Sequence, residues 1–294
     1  MDSALYTDKT ILVTGANGQL GMEIRRIAND FPHYLFIFTG RAELAIDDHQ
    51  AVKIFFEKQQ IDHCINCAAF TGVDKAESEQ QTAFRTNADA VGNLARICHQ
   101  HKSTFVHLST DYVFEGELAV MYKEEDGIGP LNIYGASKLR GEELALNNNP
   151  HAIIIRTSWL YSSYGSNFVK TMVRLMKERT SIHVVADQYG SPTYAADLAA
   201  VIMHIIEQPD IDLLGLGIIN YANAGVTSWY NFALAIKDFT ESTCEIRSIS
   251  SAEYPTAATR PHYSVLDTTR IRSLLGIAIP EWRQSLKHCL KLLS

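Results

Sequence analysis

The chain has 294 residues, of which 46% are hydrophobic and 20% charged, and a formal net charge of -7. That length buries a substantial core in one large domain or two interlocked ones, and the acidic balance excludes nucleic acid as an expected partner, since such proteins are usually basic. The opening MDSALYTDKTILVTG has no charged stretch followed by an apolar one, and no apolar run approaches the roughly 18 residues a bilayer span needs, so no membrane partner is expected and the expected location is the cytoplasm.

Lys9–Thr14 is a short β-branched run, read as a strand, and a helix is expected over Gln19–Asp30. Between them stands Thr14-Gly15-Ala16-Asn17-Gly18-Gln19-Leu20-Gly21, with glycines spaced GxxGxxG. Gly15 permits a tight turn with positive φ, Gly18 lets the backbone approach a pyrophosphate, and Gly21 lets the helix pack closely on the strand. The helix N-terminus adds free N–H groups and the positive end of its dipole. Gly15, Asn17, Gly18, Gln19 and Leu20 are therefore expected to hold dinucleotide phosphates. Tyr34–Thr39 reads as the second strand. An acidic residue at its end would bind the ribose 2′-hydroxyl of NAD, but Thr39-Gly40-Arg41 stands there, and Arg41 is placed to meet a 2′-phosphate. NADPH is the expected cofactor, with NADH also used because no motif rejects it.

A helix follows over Asp48–Gln60, with Val52, Phe55 and Phe56 on one side, and then a third strand, Asp62–Cys67. Cys64 and Cys67 form a CxxC inside that strand, where a period of two points them to opposite faces. Five cysteines in all and no second CxxC argue for buried thiols rather than a disulfide frame or a metal knuckle. A long helix is expected over Gln81–His101, a fourth strand over Thr104–Ser109, a helix over Tyr134–Asn147 and a strand over His151–Thr157. This alternation of apolar strands and helices predicts an α/β fold, a Rossmann-type doubly wound parallel sheet. Past residue 158 the pattern loosens. Helices are expected at Asn167–Arg179, Ala195–Gln208, Ser228–Phe239 and Glu281–Leu293, with short strands at His183–Val185 and Ile218–Tyr221. The expected division is 1–158, an NAD(P)-binding Rossmann domain, and 159–294, a smaller C-terminal α/β substrate-binding lobe with segments that return to the first domain.

Tyr134-Gly135-Ala136-Ser137-Lys138 is a YxxxK, which on a helix puts the two side chains one turn apart on one face. A lysine ammonium there is expected to lower the tyrosine pKa from about 10 toward working pH and suit it as a proton donor to a carbonyl oxygen. Ser109-Thr110 ends the fourth strand, where a hydroxyl faces the cofactor crevice and can hold that oxygen.

The glycine turn, the Ser-Thr pair and the YxxxK together resemble the extended short-chain dehydrogenase/reductases. STDYVFEG (109–116), RTSWLY (156–161), DQYGSPTYAADLA (187–199) and RPHYSVLDTTR (260–270) are similar to the dTDP-4-dehydrorhamnose reductase family, and matching stretches run through most of the chain. The resemblance implies NADPH-dependent reduction of the 4-keto group of a nucleotide-linked 6-deoxy sugar, giving dTDP-L-rhamnose for cell-surface polysaccharide, with Thr110, Tyr134 and Lys138 as the catalytic set. It further implies that Ala68, Ala69 and Thr71 line the cofactor, that Asn87 holds the loop after the third strand, and that Trp159 is an aromatic platform for the sugar. Asn167, Lys170 and Arg260 are implied to address the nucleotide. The family often has Asp-Ile-Thr where Ala45-Ile46-Asp47 stands here. Some members bridge two subunits through Mg²⁺ held by glutamates; Glu23 matches one such position and Ala196 stands at another, so no metal is expected. A nucleotide sugar is the expected partner and a homodimer is allowed. Two other readings share the scaffold: another nucleotide-sugar reductase or epimerase, and a non-catalytic NADP-binding regulatory subunit like that of methionine adenosyltransferase.

Overall fold

Runs of Ile, Val, Leu and Phe in the first 157 residues form strands that are buried on both faces except at the edge strand Tyr34–Thr39, because helices cover the sheet on each side. They are β1 (Lys9–Thr14), β2 (Tyr34–Thr39), β3 (His63–Asn66), β4 (Thr104–Thr110) and β5 (Ile153–Thr157). The helices between them are α1 (Gln19–Ile27), α2 (His49–Lys58), α3 (Val73–Ser78), α4 (Gln80–Phe84), α5 (Ala90–Gln100) and α6 (Ile133–Asn148). The computed structural model describes residues 9–117, 119–209 and 215–293, so the first eight residues of the stretch read for a secretory signal lie outside the described residues.

The second half supplies β6 (Leu160–Tyr161), α7 (Phe168–Glu178), β7 (Ser181–Val185), β8 (Tyr189–Gly190), β9 (Thr193–Tyr194) and α8 (Ala195–Ile206). It continues with β10 (Ile218–Asn220), β11 (Thr227–Ser228), α9 (Trp229–Phe239), β12 (Glu245–Ile249), α10 (Thr269–Leu275) and α11 (Trp282–Lys291). Strand β10 joins the first five in one parallel sheet of order β10-β5-β4-β3-β1-β2. From β1 the chain crosses to β2 on one side and then to β3 on the other. The crevice at the C-terminal ends of β1 and β3 is thus the point where an open parallel sheet takes its ligand.

One face of the sheet packs α1 and α8, through Ile11, Val13, Ile65, Val106, Leu198, Ile202 and Ile219. The other packs α2, α5 and α6, through Leu12, Phe105, Ile154, Val52, Leu94 and Ala145. Cys64 falls in the second cluster and Cys67 against the first, the opposite faces that strand periodicity requires; all five thiols are free. A separate apolar cluster gathers α7, α9 and α11 around the parallel pair β7 and β12.

The helix expected over Gln81–His101 is broken. Arg85–Asp89 forms a π turn between α4 and α5, and Thr86, Asn87 and Ala88 in it are buried. A π turn is a local widening that re-aims a side chain, and here the re-aimed residue is Asn87. Two short helices, α3 and α10, had no periodic signal because six or seven residues span too few turns to show one. No helix among the described residues is long and apolar enough to cross a membrane.

Candidate active site

A cavity of about 870 Å³ opens at the crevice between β1 and β3 and runs from the glycine turn to the start of the second lobe. Gly15 holds φ +62° with β3's outgoing backbone so close that an added Cβ would sit 2.5 Å from Ala68 N. Only glycine fits both demands. Helix α1 starts at Gly18 with no side chain to cap it, which leaves its first N–H groups for a ligand. Gly15, Gly18, Gln19, Leu20, Ala68, Ala69 and Thr71 line this end of the cavity, a cradle that fits the pyrophosphate of a dinucleotide. Arg41 lines it too, its guanidinium 3.0 Å from Asp47, which also takes Arg85 at 3.2 Å. Asn17 stays exposed beside Gly40. Asn87 is fully buried: its Oδ1 accepts from Phe70 N–H at 2.8 Å, and its Nδ2 donates to Phe70 O and to Ser137 Oγ, both at 3.0 Å. It clamps the loop after β3 onto α6.

The catalytic set of the sequence meets at the cavity floor. Asn132 caps α6 by accepting from Gly135 N–H at 2.8 Å, which fixes the first turn, where Tyr134 stands. Thr110 ends β4; its hydroxyl donates to Asp111 Oδ1 at 3.1 Å and accepts from Tyr112 N–H at 3.2 Å. Thr110 and Tyr134 both line the cavity, and the Thr110 side chain acts to lower the Tyr134 pKa. The expected acidification of Tyr134 by lysine is not found. Burial pushes its pKa up to about 12, with the Thr110 side chain acting the other way. Lys138 Nζ donates to Leu108 O at 2.5 Å and lies 3.2 Å from His107 Nε2. Burial lowers Lys138 to about 8.

Trp159 follows β5 with φ +46°, in the left-handed region a bulky residue rarely enters. Its indole stacks on Trp229 with ring centroids 3.5 Å apart and planes 6° apart, and Phe168 packs beside Trp229 at 4.6 Å. Gly190 also lies against the ring, where a Cβ would come within 2.6 Å of it. All three aromatics line the cavity. Trp229 had no sequence signal, since a tryptophan at a helix start reads equally well as core.

Asn167 lines the cavity and caps α7, with Oδ1 accepting from Lys170 N–H at 3.0 Å, while its Nδ2 donates to Gln19 Oε1 at 2.8 Å. It thereby ties the second lobe to the glycine turn. Lys170 and Arg260 are not brought in: neither lines the cavity. Lys170 Nζ donates to Ser163 O at 3.0 Å, and Arg260 makes a two-pronged bond to Asp74 at 2.6 and 2.9 Å. Glu23 is sealed between Arg26 Nε and Ser162 Oγ, at 2.8 and 2.6 Å. No group of three or more His, Cys, Asp or Glu gathers as a metal site among the described residues. Sequence reasoning missed Asp111, Tyr112, Thr157 and Ser158 in the lining; the first two lay within STDYVF and were there to be taken.

The sequence model of the RmlD substrate binding domain matches residues 9–294. A dTDP-4-dehydrorhamnose reductase of Aggregatibacter actinomycetemcomitans is 41% identical over 285 residues, covering 95% of this chain and 97% of that protein. The crystal structure of a dTDP-4-dehydrorhamnose reductase from Clostridium acetobutylicum superposes with a TM-score of 0.92 at 39% identity, covering 97% of this chain and 99% of that one. That of the Bacillus anthracis dTDP-4-dehydrorhamnose reductase in complex with NADP does so with a TM-score of 0.92 at 37% identity, with the same coverage.

Proposed function

Because the chain belongs to the RmlD substrate-binding-domain family, whose relatives are named dTDP-4-dehydrorhamnose reductases, we propose that it reduces the 4-keto group of dTDP-4-dehydro-6-deoxy-L-mannose to give dTDP-L-rhamnose. The observation that carries the reading is that Thr110, Tyr134 and Lys138 line one cavity that begins at a phosphate-binding turn and reaches an aromatic wall. A bound NADPH supplies the hydride.

The chain's own residues handle the oxygen. Charge developing on the sugar O4 needs donors placed in advance in a water-poor site. Tyr134 gives its hydroxyl proton to that oxygen and Thr110 holds it in place. The stacked Trp159 and Trp229, with Phe168 beside them, form the aromatic wall against which an apolar sugar face packs. Gly15, Gly18, Gln19, Leu20, Ala68, Ala69 and Thr71 hold the cofactor, Arg41 its 2′-phosphate, and Asn87 the loop beneath it. Asn167 closes the second lobe over the glycine turn. Lys170 and Arg260 reach the nucleotide only if they leave Ser163 O and Asp74. Residues 1–158 act as the dinucleotide-binding unit and 159–294 as the substrate lobe, and five free thiols fit a cytoplasmic setting. Every proposed site residue lies in one chain, so the reading holds for a monomer and for a homodimer.

The test follows NADPH oxidation with a panel of nucleotide 4-keto-6-deoxy sugars. The dTDP-linked L-sugar should be turned over best. Tyr134→Phe should keep fold and NADPH binding while turnover drops by roughly 10²–10⁴-fold, the scale for losing a positioned acid. A variant at near wild-type rate would refute the assignment.

A further inference from the structure

Four polar side chains run in a line under the cavity: Thr14 at the end of β1, Asn66 at the end of β3, His107 in β4 and Lys138 on α6. They are 0%, 1%, 0% and 2% exposed, so water cannot complete their hydrogen bonds and each donor must find a partner within the protein. One member fixes all the others. The Ala68 backbone N–H can only donate, and it donates to Asn66 Oδ1 at 3.2 Å; Thr14 Oγ1 donates to the same oxygen at 2.6 Å. The other end of the amide, Nδ2, therefore faces His107 Nδ1 at 3.0 Å, and it too can only donate. His107 Nδ1 is thus the acceptor and the neutral ring carries its proton on Nε2. A doubly protonated ring would set N–H against N–H, and burial and the Lys138 charge hold His107 well below its ordinary pKa. The Nε2–H then points at Lys138 Nζ, 3.2 Å away. An ammonium has no lone pair to receive it; a neutral amine does. The bond from Nζ to Leu108 O suits either form.

We propose that His107 is a positioning residue for Lys138: its Nε2–H, fixed by Asn66 and the Ala68 backbone, offers a hydrogen bond that only the neutral amine can accept, so that Lys138 can lend a proton during turnover. This rests on the reading that Lys138 serves Tyr134. The Tyr134 O–H bond breaks as its proton passes to the sugar alkoxide. The phenolate takes a proton from the Lys138 ammonium. The amine lone pair accepts from His107, and a proton from solvent restores the ammonium. No electrons are exchanged in these transfers. Burial has pushed the Tyr134 pKa up to about 12, which makes it a reluctant acid, and a proton source beside it returns its hydroxyl proton once that has passed to the sugar. Lys138, which burial lowers to about 8, lies close enough to neutrality to serve as one.

The remaining charges around Lys138 leave the wire as its local control. Glu142, one turn along α6, raises it, but that carboxylate is held by Arg156 of β5 at 2.7 Å. Asp111 follows Thr110 and is engaged by its hydroxyl. On the elements packed against α6 from α3 to α5, Glu77 is taken by Ile133 N–H, Asp74 is held by Arg260, and Lys75, Arg85, Asp89, Arg96 and His99 are exposed.

Two measurements on the wild-type protein without substrate test the wire directly. In ¹⁵N spectra of histidine-labelled protein, His107 should show Nε2 protonated and Nδ1 bare. In ¹³Cε-lysine spectra, the resonance lost in Lys138→Met should titrate near pH 8. His107→Gln can turn a carbonyl oxygen to the ammonium. His107→Asn keeps an acceptor for Asn66 and removes the N–H. Each should raise the Lys138 midpoint by about one pH unit or more, and the alkaline limb of kcat/KM should move with it. A ring protonated on Nδ1, a wild-type Lys138 titrating at its ordinary 10.5, or a midpoint unmoved in both variants overturns the proposal. If the variants do not fold, the wild-type spectra decide. Turnover of the 4-keto sugar with an unmoved midpoint sinks the wire alone; the expected spectra with no turnover sink the proposed function alone.

Discussion

Asp111 places a carboxyl 2% exposed directly after Thr110, and burial pushes its pKa up to about 7 against the pull of the Ser264 and Thr110 hydroxyls. The unfolded chain releases that proton near pH 4, so between about 4 and 7 the native state binds more protons than the unfolded one. Stability from this group is present at low pH and is lost as pH rises through 7. Urea unfolding across that window should show the decline in wild type, and Asp111→Asn should flatten it; an identical slope in the variant would remove the burial argument. Arg41 is the other residue whose setting bears on function. Its side chain is 68% exposed and, among the described residues, is paired with Asp47, so it can turn to a 2′-phosphate with little loss. Arg41→Ala should raise the KM for NADPH and leave that for NADH nearly unchanged. Equal effects on the two cofactors would show that it has no part in recognising the phosphate.

The π turn at Arg85–Asp89 is the element that the sequence did not announce and the site most depends on. Widening one turn swings Asn87 inward, where it meets both the N–H and the C=O of Phe70 and also Ser137. One side chain thereby joins the π turn, the loop that lines the cavity and α6. Asn87→Ala leaves buried backbone groups without partners, a loss of about 1–3 kcal/mol for each unsatisfied group. Thermal melting should fall, and NADPH titrated by fluorescence should bind more weakly because the Ala68–Thr71 loop is no longer clamped. A variant with lowered melting but unchanged NADPH affinity would confine Asn87 to stability.

For the molecule as a whole, the two halves of the chain share one core. Strand β5 would be an edge without β10, and the sheet face that holds Ile11, Val13 and Val106 is covered by Leu198, Ile202, Met203 and Ile205 of α8. A fragment of residues 1–158 would expose that face and the β5 edge. Expressed alone it should show no cooperative melt, by circular dichroism, and should aggregate. A soluble fragment with a sharp transition would establish 1–158 as an autonomous unit.

The first 158 residues were legible because burial on both faces leaves near-continuous apolar strands and because a phosphate turn needs glycine at set spacings. The strands over Lys9–Thr14 and Tyr34–Thr39 follow from local pattern alone, whereas local pattern left Ser109 and Thr110 both open and only the family resemblance pointed to Thr110. Tertiary structure decided what no local pattern encodes: which lone pairs face which donors, and which helix turn is widened. Lys138 stands one turn from Tyr134 as YxxxK requires, yet Leu108, about thirty residues earlier, takes one of its donors, and His107 lies 3.2 Å from its Nζ. Trp159 is held at φ +46° by Trp229 and by the missing Cβ of Gly190, contacts across 70 and 31 residues of chain. Sequence fixes which side chains are available. The direction in which a buried hydrogen bond runs depends on every other donor around it, and those arrive only when distant segments are packed together.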